Sequence, residues 1–247
     1  MPQPLTSVCP KGVDPTSIWF GPEGIEYAIK HQGLELVSKI GEVIARWSFV
    51  DTKIGHTFVS LLDTKAHVGA AVYVSLRSGA TQTAVLDAIR DLLFEEEQRD
   101  MLTAVRAVTR AARDGRNDVA HGIWGFTDSV ADGLLVMSAR SHLMEHGETH
   151  TKRATDAEKR GESAVWVIRP DSIPGLKDHS QIQVYRKQDF ESLIKQIDHA
   201  RWVWGLFFTL FMQHQKARAS IYDDLYKEPG IQEAVERARK NRERSGP

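Results

Sequence analysis

A single cysteine, Cys9, is all that the 247 residues contain. That excludes an intramolecular disulfide framework and a cysteine-type zinc site, and it fits a reducing, cytoplasmic setting. An excess of either charge is also missing. Thirty-two Lys and Arg stand against 33 Asp and Glu, for a net charge of −1, and the sequence pI is about 6.8. No global positive field draws in nucleic acid, so RNA or DNA binding would need a local patch. Long apolar runs are lacking. The longest, Trp202 to Met212, begins just after Arg201 and is about half of what a membrane span needs. Met1 to Lys11 has prolines and no apolar core, unlike a signal peptide. The expectation is a soluble chain with no membrane segment. Also missing are the P-loop, the dinucleotide fingerprint and the Gly-x-Ser-x-Gly elbow.

What is there reads first as helix. The length suits one large domain, or one domain with an insertion, and can bury a sizeable core. Residues 1–22, rich in Pro, Ser and Gly, read as an irregular arm, with a short helix starting near Pro22. From Leu34 the apolar positions 36, 37, 40, 43, 44, 47, 50, 54, 58, 61 and 62 keep helical spacing opposite Glu35, Lys39, Glu42, Arg46 and Lys53. The spacing predicts one long helix over 34–63. Gly41 and Gly55 weaken it by about 1 kcal/mol each relative to alanine, and such glycines often admit a neighbouring helix. A buried helix over 66–77, a break at Ser78 to Thr81 and a helix to Phe94 follow. An acidic Glu95-Glu96-Glu97 then opens the next helix at its positive end.

After His121 the period changes to that of strands. Ile123 to Phe126 and Gly133 to Ser138 read as a hairpin. Residues 141–162 read as a mobile loop holding His142, His146 and His150, a surface cluster rather than a zinc site. Strands at Ala164–Ile168 and Gln181–Tyr185 complete a small sheet. The last core helix starts at Gln188-Asp189. Its aromatic residues Trp202, Trp204, Phe207, Phe208 and Phe211 are anchors for a core or a subunit interface. His56 and His67, in apolar helices, read as core residues. The charged residues 219–247 read as a frayed, solvated helix rather than a nucleic-acid arm.

The chemistry concentrates in Arg113-Asp-Gly-Arg-Asn-Asp-Val-Ala-His-Gly-Ile-Trp124. Asn117 and His121, four apart, share a helix face, so the amide can hold the imidazole in one tautomer. Arg116 and His121, five apart, diverge by about 140° on an ideal helix. One chain's pair therefore converges only through a distortion, or through a second copy across a two-fold axis. Converged, the set suits phosphodiester cleavage. Histidine takes the proton from a ribose 2′-OH or gives one to the leaving oxygen, and arginine stabilises charge on phosphorus. Neither role needs a metal or cofactor, and none is expected. The plainer reading is a helix end, with Gly122 as the left-handed terminating residue, His121 a last-turn cation, Arg116 a surface charge, and Asp114 and Asp118 as caps. Arg140 and His146, six apart, form a similar Arg…His pair by accident of the loop sequence.

Arg116, Asn117 and His121 at the end of a third long helix resemble the Arg-x(4–6)-His motif of the HEPN superfamily, with the polar residue that commonly follows the arginine. The resemblance covers 34–122 and 188–217. It implies an up-and-down helical bundle; the sheet insertion and the tail fall outside that pattern, and together the expectation is a mainly α fold, a helical bundle with a small antiparallel β insertion. The regions are then an arm over 1–33, the bundle over 34–217 with the insertion at about 122–187, and a charged tail over 218–247. It also implies a metal-independent endoribonuclease that leaves a 2′,3′-cyclic phosphate. RNA is the expected substrate, a homodimer the expected assembly, and an antitoxin or other regulatory protein the expected partner in toxin–antitoxin or phage-defence systems. His121 would be general acid/base, Arg116 phosphate stabiliser and Asn117 orienter. Other members of the superfamily are inactive and bind nucleotides or partners, which is the alternative expectation.

Overall fold

The computed structural model describes residues 1–14, 17–76, 78–141, 179–212 and 215–245. In chain order the elements are β1 (Gln3–Pro4), α1 (Leu5–Val8), β2 (Ile18–Phe20), α2 (Gly21–Gln32), α3 (Leu34–Leu61), α4 (Ala66–Ser75), α5 (Gly79–Leu93) and α6 (Glu96–His121). Then come β3 (Gly122–Thr127), β4 (Gly133–Ser138), β5 (Ile182–Arg186), α7 (Lys187–Met212), α8 (Gln215–Lys227) and α9 (Ile231–Ser245). The protein is mainly α with one small antiparallel sheet. Residues 142–162 of the expected loop, with its three histidines, and the strand expected at 164–168 lie outside the described residues.

Two compact units form, Met1–Ile44 with Gly115–Ile194, and Ala45–Asp114 with Lys195–Pro247. The first holds the sheet, in the order β1-β5-β4-β3-β2, with every pairing antiparallel. The 1–22 segment is therefore no irregular arm, because it supplies both outer strands. Trp19 of β2 pairs with Phe126 of β3, and Gln3 of β1 with Val184 of β5. Period-two alternation sorts the side chains. Ile18, Phe20, Leu135, Met137, Ile182 and Val184 join Leu5, Val13 and Val130 in one buried cluster.

The opposite parity of the strands carries aromatic rings. Trp124, Tyr185 and Phe190 form one group, with centroids 5.3–5.7 Å apart. Trp19 stacks on Tyr27 at 5.0 Å, Tyr27 on His31 at 5.7 Å, and His31 on Phe126 at 5.6 Å. Helix α2 lies tight on the strands because Gly24 and Gly125 both face the Trp19 carbonyl, where any Cβ would overlap it. Gly33 ends α2 at φ +78°, a conformation that glycine adopts without strain.

The second unit is helical. Val50, Phe58, Leu86, Ile89, Phe94, Leu102, Val105, Ile197, Val203, Trp204, Phe207 and Leu210 are buried in it. The rings of Phe94, Phe207 and Phe211 pack within 6.4 Å of one another. Of the expected anchors, Trp204 and Phe207 are buried, whereas Trp202 is 56% exposed and donates its indole N–H to Glu228. Local caps set the helix starts. The Ser78 hydroxyl accepts the Thr81 amide of α5, and Gln98 accepts the Glu95 amide ahead of α6.

Gly55 behaves as its place in α3 suggests, since its Cβ would stand 3.0 Å from the Tyr73 ring of α4. Gly41 does not, because nothing lies within 4 Å of it. His56 and His67 are exposed rather than core residues. The tail is not a frayed solvated helix either. Its α8 and α9 bury Leu225, Ile231, Ala234 and Val235. Buried Asp100 accepts a hydrogen bond from Arg242 at 3.0 Å and lies 3.5 Å from Arg239, and Glu96 also pairs with Arg242, at 2.6 Å.

Candidate functional site

Arg116, Asn117 and His121 occupy the last turns of α6, within the unit that carries the sheet. Helix α6 is unbroken from Glu96 to His121. No local distortion therefore swings Arg116 toward His121, and the two remain separated by about 140° around the axis and about 7.5 Å along it. Arg116 and Asn117 are half-buried, and His121 is exposed. Arg116 Nη1 donates to Asn117 Oδ1 at 2.9 Å. Among the described residues no hydrogen bond joins Asn117 to His121. The arginine and the amide are brought together, and the histidine stands apart from both.

The surroundings explain how this helix end is held. Its last four carbonyls have no partner within the helix. Trp124 Nε1 reaches back from β3 and donates to one of them, Val119 O, at 3.0 Å. The expected left-handed termination at Gly122 does not occur, since Gly122 has no positive φ and opens β3 directly. Glycine is needed there for clearance instead. A Cβ on Gly122 would overlap Val136 and lie 2.6 Å from the Asp118 carbonyl oxygen. Directly before Arg116, Gly115 lets α6 approach α7, where a Cβ would stand 2.8 Å from Leu193 Cδ1.

Val119, between Asn117 and His121, is buried, as are Trp124, Tyr185 and Phe190. Burial, with the nearby Asp118 and Asp189 carboxylates, pushes the Tyr185 phenol far above its ordinary pKa. Tyr185 therefore keeps its proton and is no general base. Asp189 does its capping elsewhere, accepting the Arg186 amide at the start of α7 at 2.9 Å. Asp114 is not a cap either, because its carboxylate lies 3.3 Å from Arg110 and 3.4 Å from Arg113.

Within one copy, then, α6 offers a solvent-accessible imidazole and a hydrogen-bonded guanidinium on different sides of one rigid helix. Among the described residues no group of three or more His, Cys, Asp or Glu side chains is arranged to hold a metal ion, and no helix is long and apolar enough to cross a membrane. The ring column of half-buried Trp19 and exposed Tyr27 and His31 was not foreseen. Tyr27 and His31 at i, i+4 were its one sequence signal. No family model, no curated protein and no solved structure matches this chain.

Proposed function

We propose that the protein is a metal-independent endoribonuclease of the HEPN type, acting as a homodimer. The observation that carries this reading is the split presentation of the motif on α6. His121 is exposed at the helix end, while Arg116 is held by Asn117 on another side. Such a helix completes an Arg–His pair when a second copy faces it, the arginine of one meeting the histidine of the other. His121 would take the 2′-OH proton of a ribose. Arg116 would stabilise the charge developing on phosphorus as a 2′,3′-cyclic phosphate forms and the 5′-oxygen leaves. A regulatory or antitoxin partner, and service in a toxin–antitoxin or defence system, belong to the same proposal.

A second reading, a non-catalytic module that binds a nucleotide or a protein partner, is favoured by one contact. Asn117 Oδ1 accepts from Arg116, so that oxygen is committed to the guanidinium rather than to orienting the imidazole. The test is incubation of a labelled mixed-sequence RNA in excess EDTA with wild type, Arg116→Ala and His121→Ala. Cleavage by wild type alone, with cyclic phosphate ends, is expected. No cleavage, or equal cleavage by all three proteins, refutes the nuclease and leaves the binding module.

A further inference from the structure

In the helical unit, α3 and α7 lie side by side, and four contacts set their alignment. Arg46 pairs with Asp198 at 2.7 Å. The Lys53 ammonium stands 6.0 Å from the centre of the Phe208 ring, and His56 packs on the same ring at 5.5 Å. The Ser60 hydroxyl donates to Met212 Sδ at 3.6 Å. Both residue numbers rise together, so the two helices run in the same direction. Helical spacing places further residues along this seam. Phe49 shares the α3 face of Arg46 and Lys53, three after the one and four before the other. On α7, Arg201 and Gly205 step in the same way from Asp198 to Phe208.

The seam is apolar and unfilled. Phe49 is 57% exposed and Met212 62%. Gly205 is half-buried, yet nothing lies within 4 Å of the place its Cβ would take. Gly55 and Gly69 in the same unit each admit a neighbouring side chain, Tyr73 and Val59. Gly205 costs helix stability without admitting any described residue. It leaves a notch between Arg201 and Phe208, the kind of hole into which a side chain of a facing helix inserts.

The free charge along the seam has one sign. Across residues 46–60 and 198–212 the only carboxylates are Asp51 and Asp198. Asp51 accepts the Trp47 indole, and Asp198 is taken by Arg46. Lys53 and the exposed Arg201 form no ion pair among the described residues. Two cations set among Phe49, Phe208 and Met212 are too few to hold a nucleic-acid backbone, which is bound through many phosphates. They match a ligand that is apolar along its middle and acidic at its edges.

We propose that the α3–α7 seam docks an acidic amphipathic helix of a partner protein. One apolar side chain of that helix fills the notch over Gly205, its neighbours on the same face cover Phe49 and Met212, and flanking carboxylates meet Lys53 and Arg201. The adaptable Met212 closes around whichever apolar residue arrives. The surface goes beyond the nuclease reading, since it uses neither Arg116 nor His121.

The test titrates the full chain, by fluorescence anisotropy, with a synthetic helix of about five turns. That probe carries Leu and Ala along one face and Glu on the others, and a second probe has Lys in place of every Glu. The acidic helix is expected to bind about tenfold or more tightly than the basic one, and to weaken as salt is raised. Phe49→Ala and Gly205→Leu are each expected to lower its affinity about tenfold or more. Gly205→Leu fills open space and removes a helical glycine, so its Tm should be unchanged or raised, which separates lost docking from lost folding. The proposal is overturned if the acidic helix does not bind, if the two helices bind equally, or if both substitutions bind like wild type. It is also overturned if the substitutions weaken binding of labelled RNA, or convert a dimer to a monomer in sedimentation, because the seam would then belong to nucleic acid or to a second copy.

Discussion

Replacing Gly122 by alanine tests how the end of α6 is built, because two opposed effects predict opposite signs. Gly122 has no positive φ, so alanine suits its backbone. In open space the change would stabilise the protein by about 0.4–1 kcal/mol through the unfolded chain. The space is not open. The new methyl group would overlap Val136 Cγ2 and lie 2.6 Å from the Asp118 carbonyl oxygen. A valine side chain can turn, but the carbonyl belongs to the last turn of α6, and moving it shifts the helix end that carries His121. Overpacking of this kind costs about 1–3 kcal/mol. The net expectation is a loss of about 1–2 kcal/mol, or several degrees in Tm at this chain length. Thermal unfolding followed by tryptophan fluorescence measures it. Val136→Ala added to Gly122→Ala should relieve the side-chain overlap and leave the carbonyl contact, so recovery is partial. Gly41→Ala, where nothing lies within 4 Å, should instead raise stability by up to about 1 kcal/mol. An unchanged or raised Tm for Gly122→Ala would refute this account of the helix end.

Three more outcomes follow from contacts already described. Asp100→Ala removes the buried acceptor that Arg242 and Arg239 share, so α9 should lose protection in hydrogen exchange and the protein about 3 kcal/mol in urea unfolding; wild-type protection in α9 would contradict the docking. Trp124→Phe leaves the Val119 carbonyl without its indole donor, which should cost about 1 kcal/mol and speed exchange of the amides around His121; unchanged exchange there would show that the bond is dispensable. The alkaline limb of stability has a fixed sign. Burial raises the phenols of Tyr73 and Tyr222 to about 12, and that of Tyr185 further still. The unfolded chain thus loses these protons first, and the contribution, complete below pH about 10, falls away as pH rises above it. Urea midpoints should drop above that pH, and less steeply in Tyr185→Phe; parallel loss in both proteins would refute the assignment.

The long helices were legible because their signal is local and repeated. The apolar spacing from Leu34 to Leu62 predicts a helix over 34–63, and α3 spans Leu34–Leu61. The β3–β4 hairpin was legible for the same reason. The outer strands were not. Two residues in β1 and three in β2 leave no period to read, and each exists through partners far along the chain, as in the Trp19–Phe126 pairing. The tail misled through composition. Its many charges hide Ile231, Ala234 and Val235, whose i, i+3, i+4 spacing is the face that packs. Gly122 shows the limit of a one-residue signal, since a glycine after a helix reads as a left-handed cap whether backbone angle or side-chain clearance requires it. The positions of Arg116, Asn117 and His121 on a helix end followed from the sequence. That the amide is taken by the arginine did not, because helical spacing places side chains on a face without fixing their rotamers.

The most direct test of the central claim is complementation between two inactive subunits. Arg116→Ala keeps His121, and His121→Ala keeps Arg116. If each cleavage site draws its arginine from one copy and its histidine from the other, mixed dimers contain one intact site. The account predicts that each variant alone leaves RNA uncut in excess EDTA, and that co-refolding the two restores metal-independent cleavage with cyclic phosphate ends. No cleavage by the mixture, with wild type active and mixed dimers demonstrated, would contradict a site shared between two copies.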